Sequence, residues 1–297
     1  MIIVKLFGGL GNQMFQYAFG RALSLRFRVP LKLDLSWFEN VSEVDARRNW
    51  ELHAYALQCE FAGRREVAQY DRQPGRICWR NTLGKILGLS SGQRYMEKDS
   101  LVDPNIEKLD YRRNVYFEGY WQNPKYFEGE RKLLMQDLEV KTPMDQANEN
   151  TARSIMNSNS VSVHIRRGDY VAIPHVARFH GVCPSDYYER AFQAVASKIR
   201  DPNFFVFSDD PDWARANLKF LPHATWVSHN PTSQGWEDLR LMKLCQHHII
   251  ANSTFSWWGA WLCENPGKIV IAPQTWFRDP EANAQTRDLI PPSWIRL

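Results

Sequence analysis

Residues 161–170 read Val-Ser-Val-His-Ile-Arg-Arg-Gly-Asp-Tyr, and the rest of the chain is best understood outward from them. The apolar residues in the first half of the stretch alternate with other residues, which is typical of a buried β-strand. The strand should end at Arg166 and Arg167. This places two permanent cations at the carboxyl end of a strand, where open α/β sheets bind their ligands. The stretch therefore predicts a phosphate-binding site at the end of a strand.

Downstream of this stretch, apolar segments alternate with amphipathic ones, which predicts a parallel-sheet α/β domain. The predicted strands cover residues 161–165, 204–208, 225–227, 247–251 and 268–272, and the predicted helices cover residues 185–200, 213–220 and 237–246. The preceding segment, residues 141–160, is polar and indicates a domain junction. We therefore assign the two domains to residues 1–150 and 151–297.

The first domain opens with a strand, a glycine-rich turn and a helix, predicted at residues 2–6, 8–11 and 12–23. A second strand at residues 30–35 then predicts a parallel sheet here too, because the helix serves as a crossover. The turn lacks the Gly-Lys-Ser/Thr of a P-loop and the third glycine of a dinucleotide fingerprint. Ligand contact and a tight turn explain its glycines equally well. Two such domains would leave a cleft between the carboxyl ends of their sheets.

The remainder of the first domain has a weaker pattern. Residues 47–119 contain charge clusters and turn residues, which predict loops and short helices. The stretch 115–122 predicts a strand that reaches an aromatic loop bearing Gln and Asn, with Tyr120, Trp121 and Gln122 at its end. Such a loop can present a stacking face and polar groups to a sugar, but an aromatic edge of the core explains it equally well.

The composition is that of an ordinary globular protein. The chain has 297 residues, 44% of them hydrophobic, which is enough to bury a large core. Its net charge of +4 and pI of about 8.7 are mild. A dedicated nucleic-acid-binding protein has more strongly clustered basic residues. The charge and pI are compatible with an anionic substrate or a membrane surface, and we expect no nucleic-acid partner.

The five cysteines, Cys59, Cys78, Cys183, Cys245 and Cys263, are scattered and contain no Cys-x-x-Cys pair. Neither a disulfide framework nor a zinc site is therefore expected. The N-terminus runs directly into the first strand, which leaves no room for a signal peptide, and no stretch approaches the roughly 20 apolar residues that span a bilayer. We expect a cytoplasmic protein.

Three groups of residues are candidates for the chemistry of the predicted cleft. Because neighbouring residues of a strand face opposite sides, one of Arg166 and Arg167 should contact the ligand. The other should form a structural ion pair, for which Asp169 is a candidate partner. The second group is residues 252–256 (Asn-Ser-Thr-Phe-Ser) at a strand-to-helix junction. These residues either cap the helix or offer N–H groups to a diphosphate.

The third group is Asp210 and Asp212, whose Asp-x-Asp spacing matches the metal motif of many nucleotide-sugar enzymes. Because Pro211 follows Asp210, a helix N-cap with proline in the first helical position is the better interpretation. A metal would also compete with the arginines for the same diphosphate. We therefore predict that no metal is bound.

Three longer blocks carry a resemblance to a known family. They are residues 8–18 (Gly-Gly-Leu-Gly-Asn-Gln-Met-Phe-Gln-Tyr-Ala), residues 164–170 (His-Ile-Arg-Arg-Gly-Asp-Tyr), and residues 238–242 (Asp-Leu-Arg-Leu-Met) together with 252–258 (Asn-Ser-Thr-Phe-Ser-Trp-Trp). They resemble the signature blocks of the α-1,2-fucosyltransferases of glycosyltransferase family 11. The blocks lie at the beginning, middle and end of the chain, so the resemblance covers nearly all of it.

The resemblance implies a GT-B fold, in which two Rossmann-like domains face each other across a central cleft. The first domain would lie on the acceptor side and the second would bind GDP-L-fucose. The implied reaction is metal-free, inverting transfer of fucose to the 2-hydroxyl of a terminal galactose on an oligosaccharide or a lipid-linked glycan. The absent membrane anchor resembles the bacterial members, which assemble surface polysaccharide on the cytoplasmic face. Peripheral association with the inner membrane is therefore a further expectation.

The motifs of the family carry over to individual residues. Arg166 matches the arginine that contacts the β-phosphate of the donor, and Asp238 resembles the acid that reads the guanine edge. The donor-binding residues implied by the resemblance are Asn12, His164, Arg166, Asp238, Ser253, Thr254 and Ser256.

The chemistry agrees with these assignments. Cleavage of the bond between fucose and diphosphate builds negative charge on the leaving oxygen, so a metal-free enzyme needs fixed cations and N–H donors there. Inversion requires a base near the acceptor hydroxyl, or an acceptor that is deprotonated late. We predict Arg166 and Asp169 as the catalytic residues, although fixing an arginine explains Asp169 equally well. His175, His180 and Glu118 are weaker candidates for the base.

Two alternatives remain open. One is a fucosyltransferase of another linkage, or a transferase of another GDP-sugar, because the acceptor loops expected within residues 40–125 have the least readable pattern. The other is a non-catalytic module that binds a glycan or a nucleotide, in which the aromatic residues only stack on sugars and the arginines are structural.

Overall fold

The computed structural model describes residues 1–39, 48–70, 92–221 and 223–297. The chain divides into two compact units, Met1–Glu139 and Val140–Leu297. Each unit contains a parallel β-sheet with helices, which confirms the α/β prediction. The assigned boundary at residue 150 falls inside a helix of the second unit, Gln146–Met156. Cys78 and part of the predicted acceptor loops lie outside the described residues.

The first unit holds a sheet with strand order β3-β2-β1-β5-β4, in which all neighbours are parallel. The strands are β1 (Ile2–Lys5), β2 (Leu31–Asp34), β3 (Glu60–Phe61), β4 (Gln93–Met96) and β5 (Val115–Glu118). The helices described in this unit are α1 (Leu10–Phe27), α2 (Ser36–Glu39), α3 (Arg64–Ala68) and α4 (Arg131–Asp137). Short 3-10 turns lie at Leu52–Ala54, Ile106–Lys108, Pro124–Tyr126 and Glu128–Glu130.

The second unit holds a sheet with strand order β11-β10-β9-β6-β7-β8, again parallel throughout. Its strands are β6 (Asn159–Ile165), β7 (Pro202–Ser208), β8 (Thr225–Val227), β9 (His247–Ile249), β10 (Val270–Ala272) and β11 (Ile295–Arg296). Its described helices are α5 (Gln146–Met156), α6 (Gly168–Ala172), α7 (Pro174–His180), α8 (Ser185–Ala196), α9 (Pro211–Asn217), α10 (Gly235–Leu244), α11 (Thr254–Leu262) and α12 (Pro280–Ala284). Short 3-10 turns lie at Thr232–Gln234 and Gln285–Asp288.

Helix α1 is the predicted crossover of the first sheet and is buried along most of its length. Gly20 allows the helix to approach the sheet closely. A Cβ atom at this position would lie 2.6 Å from Val4 and 2.8 Å from Leu31, closer than real side chains approach. The position therefore requires glycine, and the helix begins at Leu10, slightly before the predicted start.

Strand β6 is the centre of the second unit. Its residues 160–165 are buried, and Val161, Val163 and Ile165 belong to the core cluster between the sheet and helix α8. Full burial of one such side chain contributes about 1.5–3 kcal/mol. The predicted strand thus lies between two parallel neighbours, β7 and β9, and carries residues 166–170 to the carboxyl edge of the sheet, the edge formed by the C-terminal ends of its strands.

Two strands lie where loops and short helices were predicted, so that prediction is wrong for β3 and β4. Both are short edge strands: Glu60 and Phe61 are exposed, and β4 alternates between half-buried and exposed residues. Edge strands are commonly short and carry charged or exposed residues, so they leave no apolar run in the sequence. Helix α5 was missed in the polar junction, since only Asn148, Ala152 and Ile155 form its buried face.

The four described cysteines are free thiols, as expected. No helix within the described ranges is long and apolar enough to cross a membrane.

Candidate functional site

Three adjacent strand ends bring the predicted residues of the second unit together. The register aligns Ile165 of β6 with Ser208 of β7, and Val163 of β6 with Ile249 of β9. The residues that follow these strands, at 166–170, 209–213 and 250–256, therefore emerge at one carboxyl edge, which is where parallel sheets bind ligands.

Arg166 lies between two carboxylates at this edge. Its Nη1 atom is 2.8 Å from Asp209 Oδ2 and its Nη2 atom is 2.5 Å from Asp169 Oδ1. Its guanidinium lies 5.3 Å from the ring centre of Tyr170, and 22% of the side chain is exposed. Burial disfavours the charged guanidinium, but the two carboxylates outweigh this effect and raise the pKa of Arg166. Arg166 is thus a fixed cation that still has an exposed face.

Arg167 makes a separate set of contacts. Its Nε atom donates to Asp210 Oδ2 at 3.0 Å, and its guanidinium lies 3.9 Å from the ring centre of Trp213. Both arginines therefore form ion pairs, Arg167 with Asp210 and Arg166 with Asp169 and Asp209. The candidate ion pair of Asp169 with an arginine is present, and the arginine is Arg166, which Asp169 follows by three residues.

Asp209 was missed by the sequence prediction, although it connects the ends of β6 and β7. Its Oδ1 atom accepts the Arg167 N–H at 2.7 Å while Oδ2 pairs with Arg166. A Cβ atom at Gly168 would lie 2.7 Å from Asp209 Oδ2, so a larger residue here would displace the Asp209 carboxylate. The available signal was the Asp209-Asp210 pair after a buried strand, of which only Asp210 was interpreted, as part of a metal motif with Asp212 or as a helix cap.

Asp210 occupies the predicted N-cap of α9. Its Oδ1 atom accepts the Trp213 N–H at 3.2 Å, and Pro211 takes the first helical position. Across the described residues, no group of three or more His, Cys, Asp or Glu side chains could hold a metal ion. Metal independence itself stays a prediction.

The N-terminus of α11 carries the three predicted hydroxyl residues. Ser253 takes the N-cap position with an extended backbone, but its hydroxyl makes no capping hydrogen bond. Ser256 Oγ donates to the Ser253 carbonyl at 3.3 Å, and Thr254 is half-buried. Side-chain capping, the alternative explanation, therefore does not account for Ser253. The N-terminus of this helix favours an anion through its dipole.

The loop before α11 is fixed by Asn252, which sequence reasoning placed in the motif without assigning it a role. Its Nδ2 atom donates to the carbonyls of His180 at 3.1 Å, Gly181 at 3.2 Å and Trp276 at 3.1 Å. The Tyr170 hydroxyl donates to the Asn252 carbonyl at 3.3 Å. Asn252 therefore connects the 166–180 segment to the start of α11.

His164 lies on β6 directly before the arginines and is 6% exposed. Its ring centre is 5.4 Å from that of Phe255, and its Nδ1 atom has no hydrogen-bond partner among the described residues. Burial and the nearby Arg166 lower the pKa of His164 to about 3, so the imidazole is neutral. It can donate or accept one hydrogen bond but does not act as a cation.

Asp238 belongs to a polar network near the start of α10. Its Oδ1 atom accepts from Asn230 Nδ2 at 2.8 Å. Asn230 also contacts Asn148, which is 1% exposed and lies 3.0 Å from His229 Nε2. Burial raises the pKa of Asp238 to about 6, although the bond from Asn230 opposes the shift. The contact of Asn148 with Asn230 was missed because the two residues are 82 positions apart in sequence.

The glycine turn of the first unit is fixed by Gln13. Gly8 has a positive φ of 77°, and Gln13 Nε2 donates to the Gly8 carbonyl at 2.9 Å. The same amide also hydrogen-bonds the segment 49–51 through both of its polar atoms. Asn12 Oδ1 accepts from Gln122 Nε2 at 3.0 Å. The tight turn is thus present at Gly8, and the role of Asn12 in donor binding stays a prediction.

The weaker base candidates have other contacts. Glu118 forms ion pairs with Lys5 and Arg94, and these outweigh the effect of burial and lower the pKa of Glu118. Burial lowers the pKa of His180 to about 4, and His175 is exposed. Of the proposed carboxylates, Asp169 is the one that contacts the candidate phosphate-binding arginine.

The comparison with family models decides the family. The model described as glycosyl transferase family 11 matches residues 77–297. The chain belongs to glycosyl transferase family 11. This confirms the family indicated by the three sequence blocks, and the family 11 chain is a glycosyltransferase.

Two relatives are similar to the family 11 chain over nearly their full lengths. The O-antigen biosynthesis glycosyltransferase WbnK of Escherichia coli is 33% identical, over 98% of this chain and 99% of the relative. The alpha-1,2-colitosyltransferase of Escherichia coli is also 33% identical, over 100% of this chain and 99% of the relative.

Among solved structures, a mutant of Arabidopsis thaliana FUT1 in complex with GDP is similar, with a TM-score of 0.53. The identity is 12%, and the match covers 91% of this chain and 69% of that chain. Identity this low supports the fold alone. It agrees with the prediction of a GT-B type fold with two Rossmann-like domains.

Proposed function

We propose that this family 11 enzyme transfers L-fucose, with inversion, from GDP-β-L-fucose to the 2-hydroxyl of a terminal galactose. The observation that carries the proposal is the position of Arg166 and the N-terminus of α11 at one carboxyl edge, on adjacent strands. A cation and a helix N-terminus together suit a diphosphate leaving group. The full-length similarity to an alpha-1,2-colitosyltransferase supports the linkage.

The carboxylates around Arg166 give the proposal a specific order of events. Arg166 carries one positive charge, whereas its partners Asp169 and Asp209 carry two negative charges. The net negative charge of these three side chains would repel a diphosphate. Asp209 is also held by the Arg167 N–H, whereas Asp169 lies on the short helix α6. We propose that the β-phosphate replaces Asp169 on Nη2 of Arg166 while Asp209 keeps the guanidinium in place. Asp169 would then be released to accept the proton of the acceptor hydroxyl.

The acceptor would be a galactose-terminated oligosaccharide or lipid-linked glycan of a bacterial surface polysaccharide. The similarity to a relative named for O-antigen biosynthesis supports this class of acceptor. We propose that the enzyme works in the cytoplasm and associates peripherally with the inner membrane. The net charge of +4 is compatible with an anionic lipid surface.

A second candidate donor is GDP-colitose, because one full-length relative is a colitosyltransferase. Colitose lacks the 3-hydroxyl of fucose, so a site that hydrogen-bonds this hydroxyl would discriminate strongly between the two donors. Incubation with each GDP-sugar and a panel of galactose-terminated acceptors tests both candidates. We expect a fucosylated product whose linkage is read as α-1,2 by NMR. Transfer of colitose alone, or of fucose to another position, would contradict the proposal.

The same assay tests metal independence. Because Arg166 and the helix N-terminus would stabilise the leaving diphosphate, we expect full activity in EDTA. A strict requirement for added Mn²⁺ would contradict this and restore the metal role of Asp210 and Asp212.

Donor binding should depend on pH through Asp238. If its carboxylate accepts hydrogen bonds from guanine, GDP-fucose affinity is full well above pH 6 and falls as the carboxyl is protonated, by about tenfold per pH unit well below its pKa of about 6. Calorimetric titration without acceptor, from pH 5 to 8, measures this. The Asp238→Asn variant keeps Asn230 and His229 and should bind weakly with a flat pH profile. If this variant keeps the pH profile of the unsubstituted enzyme, Asp238 is not the residue that causes the pH dependence of donor binding.

A further inference from the structure

The turn after β5 in the first unit has an unusual backbone. Trp121 adopts a left-handed conformation with φ of 56°, a region that bulky residues rarely occupy. Its side chain is 1% exposed and stacks on Phe19, with ring centres 4.1 Å apart and planes 4° apart. Core packing therefore holds this strained residue in place, and such strain is typical of functional sites.

Glu97 fixes the same turn from the neighbouring strand. It directly follows β4, and its Oε2 and Oε1 atoms accept the N–H groups of Tyr120 at 2.6 Å and Trp121 at 3.0 Å. A Cβ atom at Gly119 would lie 2.3 Å from Glu97 Cβ, so the close approach requires glycine. Burial raises the pKa of Glu97 to about 7, although both N–H groups oppose the shift. Glu97 and the turn thus form one rigid element.

The two consecutive aromatic side chains of this turn, Tyr120 and Trp121, lie in different environments. Trp121 enters the core, whereas Tyr120 is 48% exposed. The Tyr120 ring lies against Phe7, which follows β1, with ring centres 4.8 Å apart and planes tilted by 65°. Gln122 and Asn12, joined by a hydrogen bond, lie on the two segments that carry these rings. An anchored, exposed ring and paired amides therefore share the carboxyl edge of the first sheet.

We infer that Tyr120 is a stacking platform for a pyranose ring of the acceptor glycan. The apolar C–H face of a sugar packs on an aromatic ring, and neighbouring amides can exchange hydrogen bonds with its hydroxyls. Glu97 is a positioning residue, because it acts on the sugar only through the turn that holds Tyr120. The inference rests on the proposed function in taking the ligand to be a glycan acceptor.

Substitution of Tyr120 tests the platform without disturbing the core. In Tyr120→Ala, we expect the KM for a galactose-terminated acceptor to rise about tenfold, with the KM for GDP-fucose and the affinity for GDP unchanged. Tyr120→Phe keeps the ring and should stay within about twofold of the unsubstituted enzyme. Met156→Ala, which removes a side chain that is 57% exposed at the amino end of the second sheet, is the matched control and should change neither KM.

A double-mutant cycle tests the positioning role of Glu97. The amide of Glu97→Gln cannot accept both N–H groups, so the turn should loosen and the acceptor KM should rise. Because Glu97 acts through Tyr120, the same substitution should have little further effect in the Tyr120→Ala background. Additive effects would exclude the positioning role.

Direct binding separates this inference from the proposed reaction. Saturation-transfer NMR with lactose and no donor should show contact of the sugar with the unsubstituted enzyme and a weaker signal with Tyr120→Ala. If lactose binds through Tyr120 but no fucose is transferred, the proposed function fails and the platform stands. If the acceptor KM and the lactose signal are the same in Tyr120→Ala, or if GDP affinity falls instead, the platform is overturned.

Discussion

Arg166→Lys is expected to lower kcat/KM for GDP-fucose by about 10²–10³, because a lysine cannot keep both the Asp209 contact and a planar grip on the β-phosphate. The guanidinium has five donors in a fixed plane, whereas the ammonium acts as a point charge. We expect both a lower kcat and a lower affinity for the donor. Initial rates over a range of donor concentrations, together with calorimetric titration of GDP, measure the two effects.

Arg167→Lys is the matched control, because it makes the same chemical change at the adjacent residue. Arg167 pairs with Asp210 and lies on Trp213, so its replacement should change activity by less than tenfold. Thermal unfolding of both variants checks that the fold is intact. Arg166→Lys activity within threefold of the unsubstituted enzyme, or an equal loss in both variants, would exclude Arg166 as the phosphate-binding residue.

Asp169→Asn is expected to lower kcat by about 10²-fold while GDP still binds. A general base typically contributes 10²–10⁴ to the rate, and the amide cannot take the proton of the acceptor hydroxyl. Because Asp209 still holds Arg166, the phosphate-binding arginine stays in place. GDP should bind as tightly as to the unsubstituted enzyme or more tightly, since one competing carboxylate has been removed. Steady-state kinetics and calorimetry test this split.

Asp209→Asn provides the contrast, because it changes the other carboxylate that contacts Arg166. The Asp209 carboxylate also accepts the Arg167 N–H, so its loss should loosen the end of β6 and weaken GDP binding. A decrease of GDP affinity in Asp209→Asn but not in Asp169→Asn supports the division of roles. If Asp169→Asn weakens GDP binding as much as Asp209→Asn does, Asp169 only positions Arg166. The acceptor hydroxyl would then lose its proton to another group or only late in the reaction.

Much of the fold was predictable because parallel α/β units leave strong local signals. The buried strands β1 and β7 are mostly apolar, and β6 alternates apolar with other residues; the predicted extents of all three agree closely with the structure. Strands β3 and β4 lack this signal because they are short, lie at the edges of the described sheet and contain exposed residues. Helix α5 was missed since its buried face contains only three residues, one of them an asparagine.

The sequence by itself determined the two parallel α/β units, the family, and the residues gathered near the C-terminal ends of β6 and β9. Those features depend on local periodicity and on contiguous motifs. Only the tertiary structure decided which carboxylate meets which arginine and that Tyr120 is exposed while Trp121 is buried. The register of β6 against β7 places Asp209 beside Arg166, and a single positive φ at Trp121 redirects the turn. Both are set by packing between segments distant in sequence, which no local pattern encodes.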